Sequence, residues 1–270
     1  MNSVNSISRP EKVFETSGSQ PALILCDDIN FYVCKYNRQP GGKATKLFHE
    51  LLAGHFAKLW ELAVPDFKLV HVSPEHIGGY QQLQPAFFSV PCFGSQFNSR
   101  LSEVDEFYGD ANLSMRKRFG YRHEFLKIAL FDIWLANEDR NFNNYNLLID
   151  IENQNRFVPI DHDAIFNTGN LDKGLVLLSE NETLICTDLT GVLFSRKELC
   201  DQKFLEEIKN EYYICISKCE ENLNQIVSVV PEEWNINITD YQNLLKENLF
   251  NKAWSRNCFE YFLELIQLQR

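Results

Sequence analysis

The N-terminal part of the chain contains short apolar runs separated by polar connections, a pattern typical of strands. Two of these runs, at 22–26 and 31–36, flank the tetrapeptide Asp-Asp-Ile-Asn, and this arrangement predicts a β-hairpin. Because side chains alternate across a strand, Lys35 shares a face with Phe31 and Val33. The lysine therefore lies among apolar residues and does not simply face water.

Apolar residues at helical spacing mark two longer stretches. The first predicts an amphipathic helix at about 46–62, in which Glu50 is the one charged member of a stripe of small residues. The second predicts a helix at 121–136, whose apolar positions Phe125, Ile128, Ala129, Ile133 and Leu135 are interrupted by Asp132. A carboxylate inside such a helix is costly unless it is hydrogen-bonded, so we expect Asp132 to support the polar loop that follows.

The remaining stretches give weaker signals. Residues 67–72 predict a strand, a further extended segment is expected within 81–90, and Phe93-Gly94-Ser95 predicts a loop. A second hairpin is expected over 147–160, where two apolar runs flank a polar connection. Beyond about residue 195 the spacing predicts three or more helices.

Together these elements predict an α+β fold with two lobes. Residues 1–16 are expected to form a flexible lead-in, and 17–92 a small lobe with an antiparallel sheet and one helix. Residues 93–270 are expected to form a larger, mostly helical lobe.

Composition excludes several classes of protein. The net charge of −11 argues against binding along a nucleic-acid backbone, and no apolar run approaches the roughly 18–20 residues that a membrane span needs. The polar N-terminus lacks the apolar stretch of a secretory signal. The eight cysteines contain no CxxC pair and lie among apolar neighbours, so we expect reduced thiols in a cytoplasmic protein.

The densest polar motif follows the second helix. Asp139 is followed by Asn144, and Asp161 comes seventeen residues later at the end of an apolar run. Phosphoryl transfer needs one carboxylate to orient the acceptor hydroxyl, and a carboxamide with a second carboxylate to hold Mg²⁺. Lys35 would then reach the phosphates of ATP, and Glu50 would hold the lysine in place.

Each of these residues alone also has an ordinary structural interpretation. The segment at Asp139 fits a helix cap with a local salt bridge, and Asp161 fits the cap of the next turn. Lys35 alone fits an edge-strand lysine that extends to solvent. His162 could order a metal site or pack in the core.

A second candidate phosphate site precedes the first hairpin. In Ser17-Gly18-Ser19-Gln20 the small residues would let backbone N–H groups approach phosphate oxygens. The segment lacks both the GxGxxG pattern and the Gly-Lys-Ser/Thr ending of a P-loop. An ordinary turn is the alternative.

The segment Phe131-Asp132-Ile133-Trp134-Leu135-Ala136-Asn137-Glu138-Asp139-Arg140, with Asn144 and Ile160-Asp161-His162, resembles the HipA-like kinase family. The resemblance implies a bilobal protein-kinase-like fold that uses ATP and Mg²⁺. By position it implies that Asp139 is the catalytic aspartate and that Asn144 and Asp161 are metal ligands. It also implies that Lys35, supported by Glu50, contacts the phosphates, and that Gly18, Ser19 and Gln20 bind the nucleotide.

The resemblance also bears on partners. It implies transfer to a serine or threonine of a protein, with an antitoxin-like partner as a possibility and with self-phosphorylation at Ser17 or Ser19 as a hypothesis. The chain is expected to be a compact kinase core, without nucleic-acid or membrane partners. A small-molecule or lipid-headgroup kinase and a non-catalytic, nucleotide-binding pseudokinase remain the alternatives.

Overall fold

The computed structural model describes residues 3–16, 18–104 and 115–269, and the chain divides into two compact units. The first unit consists of Met1–Gly54, Pro65–Ser99 and Gln225–Asn237. The second consists of His55–Val64, Arg100–Asn224 and Ile238–Arg270. The first unit contains a sheet and the second is mostly helical, so the α+β prediction is confirmed.

The sheet of the first unit has six strands in the order β1-β5-β6-β4-β3-β2. They are β1 (Ser3–Asn5), β2 (Lys12–Val13), β3 (Ala22–Leu25), β4 (Phe31–Lys35), β5 (Phe67–His71) and β6 (Cys92–Gln96). The predicted hairpin is the β3–β4 pair, which is antiparallel. In β4, Tyr32 and Cys34 are buried while Lys35 is half-buried on the opposite face, as alternation predicts.

Residues 3–13, expected to be a flexible lead-in, instead contribute two strands to this sheet. Strand β1 pairs with β5 in parallel, which also corrects the expectation of a purely antiparallel sheet. Val4 and Val13 bury their side chains in the core of the sheet. Each strand is only two or three residues long, so neither contains enough alternation to be recognised in the sequence.

The segment around residue 90 also differs from expectation. Pro85–Phe88 is a 3₁₀ helix and not a strand, while the predicted loop at Phe93-Gly94-Ser95 lies within β6. A side chain at Gly94 would place its Cβ 2.5 Å from Cγ2 of Val70 on the neighbouring strand. Glycine therefore marks a close approach inside the sheet and not a turn. The first unit accordingly extends beyond the expected boundary at residue 92.

The second unit contains a three-stranded antiparallel sheet and most of the helices. The strands are β7 (Leu101–Glu103), β8 (Leu147–Asp150) and β9 (Arg156–Pro159), in the order β7-β8-β9. The helices of the chain are α1 (Thr45–Leu59), α2 (Met115–Arg118), α3 (His123–Leu135), α4 (Ile165–Gly169), α5 (Asp188–Leu193), α6 (Arg196–Leu199), α7 (Gln202–Val227), α8 (Ile238–Leu244) and α9 (Lys252–Leu268). The predicted hairpin over 147–160 is the β8–β9 pair.

Helix α3 forms the centre of this unit. Ten of its thirteen residues are buried, which explains why its sequence is apolar around nearly the whole helix. The Trp134 indole donates to the Leu249 carbonyl at 3.3 Å, and the Trp254 indole of α9 donates to the Trp134 carbonyl at 3.0 Å. These bonds fix the C-terminal half of α3, from which the candidate catalytic loop leaves.

All eight cysteines are free, and six of them are buried, as expected for thiols in a packed interior. Burial raises the pKa of Cys26 to about 12, so that side chain stays protonated and unreactive at neutral pH. Within the part of the chain that is described, no helix is both long enough and apolar enough to cross a bilayer.

Candidate active site

Two of the predicted site residues, Lys35 and Glu50, form an ion pair within the first unit. Strand β4 presents Lys35 and helix α1 presents Glu50, and the distance from Nζ to Oε1 is 2.5 Å. The two side chains are only 13% and 4% exposed. Burial of either charge alone would be costly, so the contact offsets the cost of placing both side chains in the interior. The sequence prediction that these residues form a pair is confirmed by this contact.

The turn before β3 contacts the side chain of Arg38, a residue not predicted from the sequence as part of the site. Arg38 donates from Nη1 to the Gly18 carbonyl at 3.3 Å and from Nη2 to Oε1 of Gln20 at 2.8 Å. Gln20 has a left-handed backbone conformation (φ 47°), and its carbonyl accepts from the Tyr36 hydroxyl at 2.9 Å. Ser19 is half-buried, and Ser17 lies outside the described residues. Tyr36 and Arg38, which follow β4, therefore hold the turn in place.

The loop after α3 begins with a buried polar cluster. Asp132 accepts from Nδ2 of Asn137 and from Nε of Arg140, both at 2.8 Å. All three residues are at most 1% exposed. Burial raises the pKa of Asp132, while the Arg140 guanidinium and the Asn137 amide oppose that shift by stabilising the carboxylate. The prediction that Asp132 supports this loop is confirmed.

Arg140 connects the loop to the end of strand β9. Its Nη1 donates to the Ile160 carbonyl at 2.9 Å and also to the Asn146 carbonyl. The Ile160 N–H in turn donates to the Asn146 carbonyl at 3.0 Å. These bonds position Ile160, and therefore the start of Asp161, against the loop.

Asp139 is held by two amides. Its Oδ2 accepts from Nδ2 of Asn144 at 3.0 Å and from Nδ2 of Asn146 at 3.1 Å. An ionised carboxylate only accepts, so each amide must present its nitrogen to Asp139 and direct its oxygen elsewhere. The backbones of Asn141 and Asn144 exchange two hydrogen bonds, which closes the turn that brings Asn144 back to Asp139.

Asn144 is predicted from the sequence as a site residue, whereas Asn146 is not. Asn146 contacts Asp139 through its side chain and both Ile160 and Arg140 through its carbonyl. It has a left-handed backbone (φ 45°), a conformation in which asparagine is enriched. An asparagine directly before a strand was the available signal.

Asp161 follows Ile160 directly and is half-buried. Its backbone is left-handed (φ 58°), a conformation that is uncommon outside glycine and often found at functional sites. His162, the next residue, is 4% exposed, and its ring lies 6.1 Å from that of Phe131 in an edge-on contact. The core-packing alternative for His162 therefore matches its position.

The residues of this loop fit a hard divalent cation bound together with phosphates. Within residues 3–16, 18–104 and 115–269, no group of three or more His, Cys, Asp or Glu side chains could hold a metal by itself. Mg²⁺ rarely uses such a cage, since it prefers one or two carboxylates together with phosphate and water oxygens. Because the Asn144 amide nitrogen donates to Asp139, its amide oxygen is not used in that contact.

Comparison with known sequences identifies the family of the chain. The family described as HipA-like kinase matches residues 7–261. The chain belongs to the HipA-like kinase family. This membership makes the HipA-like chain a phosphotransferase, and nucleotide use follows from that class of chemistry. A search of curated proteins found no match.

Solved structures similar to this HipA-like kinase include that of the Helicobacter pylori proinflammatory kinase CtkA. The TM-score is 0.51 at 14% sequence identity, and the alignment covers 99% of both chains. At this identity the likeness establishes a kinase-like fold and does not transfer residue roles. The open conformation of CtTel1 also matches, with a TM-score of 0.39 and 12% identity over 92% of this chain and 11% of that one.

Proposed function

We propose that this HipA-like kinase transfers the γ-phosphate of ATP, with Mg²⁺, to a serine or threonine hydroxyl of a protein. The observation that carries the proposal is the environment of Asp139. Its carboxylate is oriented by Asn144 and Asn146, and Asn146 is also bonded to the strand end that leads into Asp161. One carboxylate for the acceptor and one amide–carboxylate pair for the metal is the donor set that this reaction needs.

Each residue has a separate role in the proposed reaction. Asp139 accepts a hydrogen bond from the acceptor hydroxyl and takes its proton as the new P–O bond forms. Asn144 and Asp161 would hold Mg²⁺, which would neutralise charge that develops on the phosphate oxygens. Lys35, held in place by Glu50, contacts the phosphates. The turn at Gly18, Ser19 and Gln20, with Arg38 beside it, offers further phosphate contacts.

The intracellular setting is part of the same proposal. Eight free cysteines suit a reducing compartment, and ATP as the phosphate donor also favours the cytoplasm. The net charge of −11 favours a protein acceptor over an anionic lipid surface, because like charges repel. An antitoxin-like partner remains a hypothesis from the family resemblance.

The test is a labelling assay with γ-labelled ATP, Mg²⁺ and generic protein acceptors. Transfer by the unaltered chain should fall at least about 100-fold in Asp139→Ala, since a general base typically contributes a factor of 10²–10⁴. A comparable loss is expected in Asp161→Ala. Asp188→Asn, at an exposed position in α5, is the matched control and should keep full activity.

The outcomes separate the alternatives. Near-normal transfer in either variant would overturn the role of that residue. Turnover of ATP only with an added metabolite would favour a small-molecule kinase, and ATP binding without any turnover would favour a pseudokinase. Equal unfolding midpoints of the variants and the unaltered chain would exclude loss of fold as the cause.

A further inference from the structure

The segment that carries Asp161 is fastened to the catalytic loop at both of its ends. At its start, Ile160 is bonded to Asn146 and Arg140. At its other end, the Asn167 N–H donates to the Ala136 carbonyl at 3.0 Å, directly before the loop. The segment 160–167 therefore begins and ends beside the loop that contains Asp139.

The backbone at the C-terminal end of this segment is strained. Phe166, Asn167 and Thr168 have φ values of 61°, 50° and 56°, so three consecutive residues other than glycine are left-handed. In this conformation the Cβ of an L-residue crowds the following carbonyl oxygen, so each of the three is strained relative to a right-handed residue. Backbone strain of this kind persists only where surrounding contacts compensate for it.

Glu138 provides two of those contacts. Its Oε1 accepts from Nδ2 of Asn167 at 3.1 Å, and its Oε2 accepts from the Thr168 hydroxyl at 2.6 Å. The Asn167 amide also bonds the backbone of Val176, donating to its carbonyl at 3.1 Å and accepting from its N–H at 2.9 Å. The strained turn is thus clamped between Glu138 on one side and Val176 on the other.

We propose that Glu138 is a positioning residue whose carboxylate holds the left-handed turn at 166–168 and thereby fixes Asp161 relative to Asp139. Glu138 is the residue immediately before Asp139, so a contact made by its side chain acts directly on the backbone that carries the candidate base. The role assigned to Asp161 rests on the proposed function. The claim that Glu138 holds the turn rests only on the contacts described above.

The first test measures hydrogen–deuterium exchange in the full chain without nucleotide. Three backbone N–H groups serve as probes: that of Asn167 donates to the Ala136 carbonyl, that of Thr168 to the Ala164 carbonyl and that of Val176 to Oδ1 of Asn167. Glu138→Ala should speed their exchange at least about tenfold, because the turn loses two hydrogen bonds to a charged group, which are stronger than bonds between neutral groups.

Glu138→Gln is the conservative variant that should restore protection. A glutamine oxygen can accept from Asn167 while its NH₂ donates to the Thr168 hydroxyl, so exchange should stay within about threefold of the unaltered chain. Glu182→Ala is the matched control. Glu182 also accepts two hydrogen bonds, both from Ser179 at 2.8 Å, and its removal should leave exchange at 166–168 unchanged.

The second readout is the free Mg²⁺ concentration that gives half-maximal ATP turnover. Glu138→Ala should raise it at least threefold, and Glu138→Gln should restore it, because a loose turn leaves Asp161 poorly placed. Unchanged exchange in Glu138→Ala would overturn the proposal. Faster exchange with an unchanged Mg²⁺ requirement would overturn the link to Asp161. An inactive unaltered chain would refute the proposed function, while the exchange comparison would still decide whether Glu138 holds the turn.

Discussion

Removal of the Asp132 carboxylate should strongly destabilise the second unit. The guanidinium of Arg140 is fully buried, and the Asp132 side chain is 2% exposed. In Asp132→Ala the Arg140 Nε and the Asn137 amide would each lose a partner at 2.8 Å. Loss of one partner of a buried pair costs about 3–5 kcal/mol. Because Nη1 keeps its bonds to the Asn146 and Ile160 carbonyls, we expect about 3 kcal/mol.

Denaturant unfolding, followed by fluorescence and circular dichroism together, measures this cost. Coincident transitions would establish that a single free energy of unfolding is defined. Glu152→Ala is the matched control, since Glu152 pairs with Arg100 at 2.6 Å but both side chains are more than 60% exposed. An exposed pair contributes at most about 1 kcal/mol, so the control should lose little.

The double variant Asp132→Leu with Arg140→Met separates burial of an unpaired charge from loss of packing. The double variant should lower the free energy of unfolding by less than the sum of Asp132→Leu alone and Arg140→Met alone, by at least about 1.5 kcal/mol, because no lone charge remains in the interior. A cost below about 1 kcal/mol for Asp132→Ala, or additive costs in the cycle, would refute the reasoning.

Two further predictions concern the pH dependence of stability and the close packing at Gly94. Burial, with Lys58 nearby, lowers the pKa of His55 from 6.5 to about 4, so below pH 6.5 the unfolded chain binds a proton that the folded chain does not. The free energy of unfolding should therefore fall by about 2–3 kcal/mol between pH 6.5 and pH 4 in the unaltered chain but not in His55→Gln, and an equal pH dependence of unfolding in both proteins would contradict this. Gly94→Ala would force a Cβ against Val70 and should lower the free energy of unfolding by about 1–3 kcal/mol. Gly191→Ala, with open space around it, should be neutral or slightly stabilising, and equal thermal shifts for the two variants would argue against close approach as the cause.

The candidate site was predictable where its residues are close in sequence. Asp139 and Asn144 lie five residues apart, and a short turn necessarily brings them near one another. The Lys35–Glu50 pair was also predictable, because strand alternation and helical spacing placed each residue on the required face. Asp132 was recognised because a carboxylate among apolar helical residues needs a partner.

Other parts of the site depended on contacts that no local pattern records. Arg38 lies against Gly18 and Gln20, 18 to 20 residues earlier in the chain. Asn146 joins Asp139 to Ile160 across the β8–β9 hairpin, and Glu138 reaches residues 29 and 30 positions away. Several of these residues are polar and lie in loops, where periodicity carries no signal.

The long elements, namely the β3–β4 hairpin and helices α1 and α3, follow from the pattern of residues along the chain, because runs of apolar side chains must be buried together. The short strands β1 and β2, the placement of Gly94 in a strand and the left-handed turn at 166–168 follow instead from contacts in the folded chain. Each depends on neighbours outside its own segment. Strand β1 pairs with β5 and β2 with β3, Gly94 pairs with Cys34 and Lys68 on the adjacent strands, and the Glu138 carboxylate accepts from Thr168. Local preferences of two or three residues are too weak to decide between conformations, and long-range contacts supply the missing free energy.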